Sequence, residues 1–261
     1  MRRSPVMTMM IRAAEKAGRA IVRDFGEVEH LQASLKGPRD FVTVADEKAE
    51  RIVKEELQKA RPRFGILMEE SGEIIGEDTS HRFIVDPIDG TTNFMHGVPY
   101  FAVSIALEES REVVAGVVYN PITDELFWAE RNGGAYLHDR RLRVSKRVNL
   151  NDALIGAPAY VPNAHDFDDW ARLTRRLNHA ATTRVYGAAA LNLAHVAAGR
   201  LDGYVEEGLQ PWDVAAGAII VQEAGGHVTD LAGGKEWLRN GGIVAAPTEM
   251  HRQLLKAATE D

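Results

Sequence analysis

The sequence predicts an α+β fold in which helices and β-sheets form separate layers. Amphipathic helices come first, short apolar segments typical of antiparallel strands follow, and strands alternate with helices in the second half of the chain. The 261 residues are 45% hydrophobic, which is enough for a sizeable core. We expect residues 1–261 to form a single domain, with an N-terminal half of about residues 1–145 and a C-terminal half of about residues 146–261.

Two amphipathic helices are expected near the N-terminus. Apolar residues recur at helical spacing between Val6 and Phe25, and Gly26 follows as a stop signal. A second helix is expected over about residues 43–60, and Pro62 follows its end. Each helix has one apolar stripe, so each is expected to bury one face.

The rest of the chain contains the expected strands and four more helices. Segments rich in β-branched and aromatic residues predict strands over residues 64–68, 82–85, 101–107, 112–119, 124–129, 135–137, 153–156, 202–205 and 242–245. Helices are expected over residues 165–179, 188–198, 211–224 and 248–258. The helix at 211–224 is nearly all apolar, so we expect it to be buried.

The composition excludes several classes of function. The formal net charge is −7, which argues against non-specific binding of nucleic acid, because such binding needs a basic surface. The chain has no cysteine, so disulfides, zinc–thiolate sites and thiol nucleophiles are excluded. No segment is long enough to span a membrane, and the N-terminus does not resemble a signal peptide, so a cytoplasmic protein is expected.

A carboxylate-rich turn follows one of the expected strands. Asp86 comes directly after this strand, and Asp89 follows Pro87, which cannot continue the hydrogen bonding of a strand. The two carboxylates can converge with the backbone carbonyl of Ile88, and oxygen ligands of this kind suit hard divalent cations. If a helical turn begins after Gly90, its free N–H groups can hold a phosphate. Two aspartates around a proline can also simply cap a turn, and this alternative stays open.

Two further acidic sites have the same character. Glu69 and Glu70 follow the strand at residues 64–68, and because adjacent strand residues face opposite sides, only one of them should point into a site. Asp213 lies at the start of the expected buried helix. Each has a structural alternative: a solvated loop for the two glutamates, and a charge that complements the helix dipole for Asp213.

Asp46 permits two interpretations. Together with Thr43 it fits a capping box at the start of the second helix. It could instead accept a proton from a hydroxyl group or a water molecule beside the metal ions. The sequence does not decide between the two.

Three sequence motifs lie in a characteristic order along the chain. They are Met68-Glu69-Glu70-Ser71, Asp86-Pro87-Ile88-Asp89-Gly90-Thr91-Thr92, and Trp212-Asp213 with Glu223-Ala224-Gly225-Gly226. Together they resemble the inositol monophosphatase family, and residues 197–203 resemble its bacterial SuhB-like branch. The resemblance covers nearly the whole chain. It implies an αβαβα layered sandwich and a lithium-sensitive phosphatase that uses two or three Mg²⁺ ions per site.

The resemblance also implies a role for each matching position. The implied metal ligands are Glu69, Asp86, the Ile88 carbonyl, Asp89 and Asp213. The implied catalytic residues are Asp46 and Thr91, which would activate the attacking water, together with Glu69. The amides of Gly90 and Thr91 would hold the phosphate, and the region that grips the substrate hydroxyls would be Gly187, Ala188, Ala189 and Glu206. The segment that helps to close the site would include Lys36, Asp40 and Thr43.

One position departs from the family pattern. The family usually carries Ser or Thr directly after the glycine that matches Gly187, and this chain has Ala188. A side-chain hydroxyl is therefore missing near the substrate polyol. The departure bears on the identity of the substrate and leaves the reaction class untouched.

The leading substrate is a small phosphorylated polyol, inositol 1-phosphate. The alternatives with the same chemistry are fructose bisphosphate, histidinol phosphate and a phosphoadenosine, but a carboxylate at Glu206 favours a neutral polyol because it would repel a second phosphate. From a different class of function, the SuhB-like resemblance implies a factor associated with transcription or RNA processing. The acidic balance disfavours direct nucleic-acid binding, so such a role would run through a protein partner. The resemblance also implies a homodimer.

Overall fold

The computed structural model describes residues 3–25, 33–37, 40–159 and 167–259 of the chain. The expected stop at Gly26 and the first two residues of the helix expected from residue 165 lie outside this part. The side chains of Lys36 and Asp40 also lie outside it. Among the described residues, no helix is both long enough and apolar enough to cross a membrane.

The described elements alternate as the sequence predicts. The helices are α1 (Pro5–Phe25), α2 (Val44–Ala60), α3 (Thr91–Met95), α4 (Phe167–Ala180), α5 (Ala189–Ala197), α6 (Pro211–Glu223), α7 (Trp237–Asn240) and α8 (Thr248–Thr259). The strands are β1 (Ala33–Gly37), β2 (Asp40–Thr43), β3 (Phe64–Met68), β4 (Gly72–Ile74), β5 (Asp78–Asp89), β6 (Ala102–Glu109), β7 (Glu112–Asn120), β8 (Glu125–Glu130), β9 (Gly134–Leu137), β10 (Arg140–Arg141), β11 (Leu154–Gly156), β12 (Thr182–Arg184), β13 (Gly203–Glu207), β14 (Gly226–Thr229) and β15 (Gly242–Pro247).

The larger sheet has eight strands in the order β10-β9-β8-β7-β6-β5-β3-β4. Its neighbours are antiparallel except for β3 and β5, which run parallel. Met68 at the end of β3 pairs with Val85, so the residues that follow these two positions lie next to each other at the same end of the sheet. The parallel pair therefore brings two of the acidic motifs together.

Helices and sheets stack in five layers. Helices α1 and α2 cover one face of the large sheet, and α5 and α6 cover the other. The opposite side of α5 and α6 packs on a second sheet, in the order β12-β11-β13-β15-β14, whose outer face is covered by α4 and α8. The αβαβα sandwich is confirmed, whereas the division into halves near residue 145 stays a prediction.

The burial of α6 explains why its sequence is apolar on every side. Residues from Val214 to Val221 are all buried, because α6 lies between the two sheets and against α5. A Cβ added at Gly116 on β7 would lie only 2.6 Å from the Ala216 carbonyl oxygen. Glycine at this position therefore lets the large sheet approach α6 closely.

Strand β5 is longer than the sequence predicts. A strand was expected over residues 82–85, with Pro87 ending the hydrogen-bonded ladder, but β5 extends from Asp78 to Asp89. Its pairing with β6 shifts register between Asp86 and Asp89, so Pro87 lies in an irregularity where no ladder bond is needed. The irregularity places Asp86 and Asp89 at one edge of the sheet without ending the strand.

Candidate active site

Three aspartates from two elements meet at the carboxyl end of β5. One carboxylate oxygen from each lies within 4.8 Å of the other two: Asp86, Asp89 and Asp213. The first two lie on β5, and Asp213 lies in the first turn of α6. Asp86 and Asp89 are buried, and Asp213 is partly buried. The structure thus brings together the aspartates that the sequence analysis singled out.

Glu69 joins this cluster from the neighbouring strand. Its backbone N–H donates to the Val85 carbonyl at 3.3 Å, and its side chain lies within hydrogen-bonding reach of the Asp86 carboxyl. The backbone N–H of Glu70 instead donates to the carboxylate of Glu50 on α2, at 2.8 Å. The side chain of Glu69 therefore faces the aspartates.

The cluster is electrostatically strained in the absence of cations. Burial raises the pKa of Asp86 well above its usual value, and repulsion from the neighbouring carboxylates adds to this effect. Burial also raises the pKa of Asp89 to about 7, although its carboxylate accepts two backbone hydrogen bonds. A divalent cation bound among these oxygens would offset both the burial of the charges and the repulsion between the carboxylates. The donor set, all carboxylate and carbonyl oxygen, fits a hard ion such as Mg²⁺.

Asp46 completes the capping box of α2 and also contacts Thr91. One carboxylate oxygen accepts hydrogen bonds from the backbone N–H and the hydroxyl of Thr43, which completes the capping box of α2. The other oxygen lies 3.1 Å from the Thr91 hydroxyl. The same hydroxyl lies 3.1 Å from the carbonyl oxygen of Ile88. Asp46 is fully buried, so both oxygens are held in place.

Gly90 connects β5 to α3 through a left-handed backbone conformation. Its φ is 98°, and an added Cβ would lie 3.1 Å from the Tyr100 carbonyl oxygen and 3.2 Å from the Ala188 Cβ. Any other residue would be both strained and crowded here. A helical turn after Gly90 was the condition for phosphate binding, and it is present as α3, so the first N–H groups of α3 face the end of β5.

The start of α5 is attached to the aspartate cluster. The backbone N–H groups of Ala189 and Ala190 donate to the Asp89 carboxylate at 3.1 and 2.7 Å. Ala188 is the N-cap of α5, is buried, and offers no side-chain hydrogen bond to the helix. The Asp89 carboxylate therefore satisfies backbone groups that a capping side chain would otherwise serve.

Glu206 lies on β13 near the same cluster. It accepts a hydrogen bond from the hydroxyl of Tyr204, two residues earlier on the same face of the strand. Burial raises the pKa of Glu206 to about 8, with a further contribution from the negative charge of Asp213. The sequence analysis did not single out Tyr204, although its spacing from Glu206 in a predicted strand was a usable signal.

Asn93 was not singled out by the sequence analysis, and its side chain joins two segments beside the site. Its side-chain amide donates to the carbonyl oxygens of Tyr100, at 2.8 Å, and Tyr186, at 2.7 Å. It thereby attaches α3 to the segment that carries Gly187 and leads into α5. Nothing in the sequence indicated these two partners, since they are 7 and 93 residues away.

Comparisons with known proteins agree with this arrangement. A protein named inositol-1-monophosphatase from Mesorhizobium japonicum is 53% identical over 258 residues, which cover 98% of this chain and 97% of that protein. A protein named Nus factor SuhB from Haemophilus influenzae is 41% identical over 254 residues, which cover 97% of this chain and 95% of that protein. The solved structure of the extragenic suppressor protein suhB from Bartonella henselae has a TM-score of 0.95 at 54% identity, covering 98% of this chain and 99% of that one. The sequence profile of the inositol monophosphatase family matches residues 2–261. The chain belongs to the inositol monophosphatase family.

Proposed function

We propose that the protein is a Mg²⁺-dependent phosphatase that hydrolyses inositol 1-phosphate to inositol and phosphate. The observation that carries this proposal is the buried cluster of Asp86, Asp89 and Asp213 beside the Thr91–Asp46 pair. Hydrolysis of phosphate monoesters requires neutralisation of charge and positioning of a water molecule. The cluster serves the first requirement and the hydroxyl–carboxylate pair serves the second.

The cluster would hold two or three Mg²⁺ ions. The ligands would be Glu69, Asp86, the Ile88 carbonyl, Asp89 and Asp213, which supply only oxygen atoms. Bound Mg²⁺ would lower the pKa of the attacking water and neutralise the charge of the leaving alkoxide. The chain's own contribution is to keep these oxygens converged, because β3 and β5 end side by side and α6 begins next to them.

Thr91 and Asp46 would orient and deprotonate the attacking water. When the Thr91 hydroxyl donates to Asp46, its oxygen lone pairs are free to accept a hydrogen bond from water. Deprotonation of the water would then pass a proton toward the Asp46 carboxylate. The backbone N–H groups of Gly90 and Thr91, at the start of α3, would hold the phosphate oxygens.

The substrate alcohol would lie between the start of α5 and β13. Gly187, Ala188, Ala189 and Glu206 form this side of the site in the proposal. The N–H of Ala189 is already bonded to Asp89, so its contribution to substrate binding would come through the backbone shape and its methyl group. A carboxylate at Glu206 suits the hydroxyl of a neutral polyol, and the name of the Mesorhizobium relative supports the same substrate class.

A phosphate-release screen tests the substrate assignment. Inositol 1-phosphate, fructose bisphosphate, histidinol phosphate and a phosphoadenosine are compared at equal concentrations with Mg²⁺. We expect the highest kcat/KM for inositol 1-phosphate. A higher kcat/KM for any of the other three would transfer the assignment to that ester.

A second function is favoured by the relatives named Nus factor SuhB. We propose that the protein can also associate with the transcription machinery through a protein partner. A pull-down with tagged protein against purified RNA polymerase and antitermination factors tests this. Retention of a purified factor at physiological salt supports the association, and its absence contradicts it.

The family resemblance supports three further parts of the proposal. They are a homodimer, inhibition by lithium, and a cytoplasmic location. Light scattering on the purified protein measures the first, and phosphate release in increasing LiCl measures the second. A monomeric mass, or turnover that is insensitive to LiCl, would contradict the corresponding part.

A further inference from the structure

A second buried carboxylate follows Asp46 by one turn of α2. Asp46 and Glu50 are four residues apart, so their side chains lie on the same face of the helix. Both are buried, and the apolar side chains of Val53 and Leu57 continue the buried stripe toward the end of the helix. An apolar residue at position 50 would extend this stripe without the cost of burying a carboxylate. The carboxylate of Glu50 therefore calls for a partner that an apolar side chain could not serve.

That partner is the turn between β3 and β4. Glu50 Oε2 accepts from the backbone N–H of Glu70 at 2.8 Å and from that of Ser71 at 3.4 Å. The turn comprises residues 69–71, because Met68 pairs with Gly72 where the antiparallel β3–β4 hairpin closes. Strand β4 has three residues and lies at the edge of the large sheet. Glu50 thus attaches a turn at the sheet edge to the helix that covers the sheet.

The first residue of this turn is Glu69, which lies beside Asp86. Met68 pairs with Val85 in the parallel β3–β5 ladder, and Glu69 and Asp86 are the residues that follow this pair. The backbone N–H of Glu69 donates to the Val85 carbonyl at 3.3 Å. The backbone on the other side of Glu69 is fixed by the bond from the Glu70 N–H to Glu50. The position of the Glu69 side chain therefore depends on both attachments.

One face of α2 is in this way bonded on two sides of the acidic cluster. Asp46 lies 3.1 Å from the Thr91 hydroxyl, and Glu50 bonds the turn that begins at Glu69. Four residues of an α-helix span about 6 Å along its axis, and the helix keeps this spacing fixed. Helix α2 therefore sets the separation between the hydroxyl of Thr91 and the turn that carries Glu69.

We propose that Glu50 is a positioning residue that places the Glu69 carboxylate for Mg²⁺ by holding the turn at residues 69–71 against α2. This inference rests on the proposed function, which makes Glu69 a metal ligand and Thr91 the group that orients the water. Glu50 acts only through the backbone of the turn and contacts neither the metal nor the substrate. Partners that orient a metal ligand in this way strengthen metal binding, because the ligand is already in place when the ion arrives.

Mg²⁺ binding to the full-length, EDTA-stripped protein tests the inference by calorimetry without any substrate. Glu50→Gln removes the charge but keeps an oxygen that can accept both N–H groups, and Glu50→Asp keeps the charge on a side chain one methylene shorter. We expect Glu50→Gln to bind Mg²⁺ about as tightly as the wild type. Glu50→Asp should raise the Kd by about 2- to 10-fold, as loss of one hydrogen bond predicts. Glu50→Leu, which removes the acceptor, should raise it by about 10- to 100-fold.

Glu47 provides the matched control. It is an exposed acidic residue of α2 that lines the same surface cleft as Glu50 and Glu70, so Glu47→Leu removes a charge there without removing either bond to the turn. It should leave the Mg²⁺ Kd unchanged. Wild-type affinity in a folded Glu50→Asp variant, or weaker binding by Glu50→Gln than by Glu50→Asp, would overturn the inference. The comparison of Glu50→Gln with Glu50→Asp decides the question even if Glu50→Leu does not fold.

A double-mutant cycle shows whether Glu50 acts through Glu69. In the Glu69→Gln background, Glu50→Asp should add less than about 2-fold to the Mg²⁺ Kd, because the ligand that it positions is already altered. Full additivity of the two substitutions would overturn the inference.

Steady-state kinetics separates metal placement from a general loss of structure. In Glu50→Asp, the Mg²⁺ concentration for half-maximal phosphate release should rise in parallel with the Kd, while KM for inositol 1-phosphate at saturating Mg²⁺ stays within about 2-fold of the wild type. A raised KM with an unchanged Mg²⁺ requirement would contradict the role of Glu50. Wild-type protein that binds Mg²⁺ but releases no phosphate from inositol 1-phosphate would overturn the proposed substrate alone, and the order of the Mg²⁺ affinities would still decide the role of Glu50.

Discussion

Three carboxylates at this site each bond a backbone or hydroxyl group at a helix start and also lie beside the other groups of the site. Asp46 caps α2 with one oxygen and contacts Thr91 with the other. Asp213 caps α6 by accepting from the Gln210 N–H at 2.7 Å, and it also belongs to the acidic cluster. Asp89 bonds the start of α5 while it faces the same cluster. A role in capping a helix therefore does not rule out the proposed role of the same residue in the active site.

The two tasks of Asp46 can be separated by substitution. Asparagine keeps one acceptor oxygen for the backbone N–H of Thr43, so Asp46→Asn should stay folded with a modest loss in melting temperature. We expect kcat to fall at least about 100-fold, the typical contribution of a positioned proton acceptor. Mg²⁺ affinity, measured by calorimetry, should be nearly unchanged. A near-normal kcat would show that Asp46 serves only to cap α2.

Thr91 provides the matched comparison for this pair. Thr91→Ser keeps the hydroxyl near Asp46 and Ile88, and it should retain most of kcat. Thr91→Val removes the hydroxyl at nearly constant volume, and it should lose about as much kcat as Asp46→Asn. Equal rates for the Ser and Val variants would show that the hydroxyl does not position the water.

Asp89 is expected to be indispensable for turnover. Asp89→Asn removes a charge from the cluster. The amide keeps only one acceptor oxygen, so it can accept only one of the two N–H hydrogen bonds from α5. We expect no detectable phosphate release from inositol 1-phosphate and weaker Mg²⁺ binding, while circular dichroism shows a folded protein.

The control for Asp89 is another buried aspartate away from the cluster. Asp230→Asn alters a carboxylate that accepts from the Gly234 N–H at 2.7 Å within a surface turn. It should keep wild-type kcat/KM. Full activity of Asp89→Asn, with normal Mg²⁺ binding, would contradict the assignment of the cluster.

The site lies where two strands end and three helices begin. Strands β3 and β5, and the first turns of α3, α5 and α6, all reach the acidic cluster. The helix α5 lacks a capping side chain of its own because Ala188 occupies the N-cap. Its first two N–H groups depend on Asp89 instead. The stability of α5 and the geometry of the cluster are therefore coupled.

Ala188→Ser should affect both stability and substrate binding. A serine at an N-cap stabilises a helix by about 0.5–2 kcal/mol relative to alanine, which corresponds to a few degrees in Tm. We also expect a lower KM for inositol 1-phosphate, with a smaller change for glycerol 2-phosphate. A higher Tm with equal changes in both KM values would show that position 188 serves the helix and does not recognise the polyol ring.

The sequence alone was sufficient to predict the long, regular elements and the acidic residues that lie at the site. Apolar periodicity predicted α1, α2 and α6, and the spacing of the carboxylates predicted their convergence. Short elements such as β4, β12 and β14 were missed, because strands of three or four residues have too little sequence pattern of their own and depend on pairing with a neighbouring strand. Contacts such as that of Asn93 with Tyr186 were equally unpredictable, since their partners are set by tertiary packing.

At the scale of the whole molecule, the layers bury carboxylates that would otherwise be hydrated. Asp86 and Asp89 lie where the large sheet meets the α5–α6 layer, and the cost of this burial appears in their raised pKa values. Such a cluster lowers the free energy of unfolding of the metal-free protein. Bound cations are expected to offset this loss, so metal binding and folding stability should be linked.

This linkage predicts the pH dependence of stability. Asp89 has a pKa of about 7 in the folded, metal-free protein, against 3.8 ordinarily, so between these values the folded state retains a proton that the unfolded chain has lost. The free energy of unfolding should therefore fall as pH rises through this window in EDTA. Thermal unfolding should show a larger stabilisation by Mg²⁺ at about pH 8 than at about pH 5. A metal-free Tm that rises between those values would contradict the raised pKa.

We expect the acidic cluster to hold the metal ions on which hydrolysis of inositol 1-phosphate depends. Phosphate release from inositol 1-phosphate is measured with protein stripped by EDTA, before and after Mg²⁺ is added back. We expect no release from the stripped protein, restoration by Mg²⁺ in the wild type, and no restoration in Asp89→Asn. Full turnover in excess EDTA, or restoration of Asp89→Asn to the wild-type rate, would contradict it.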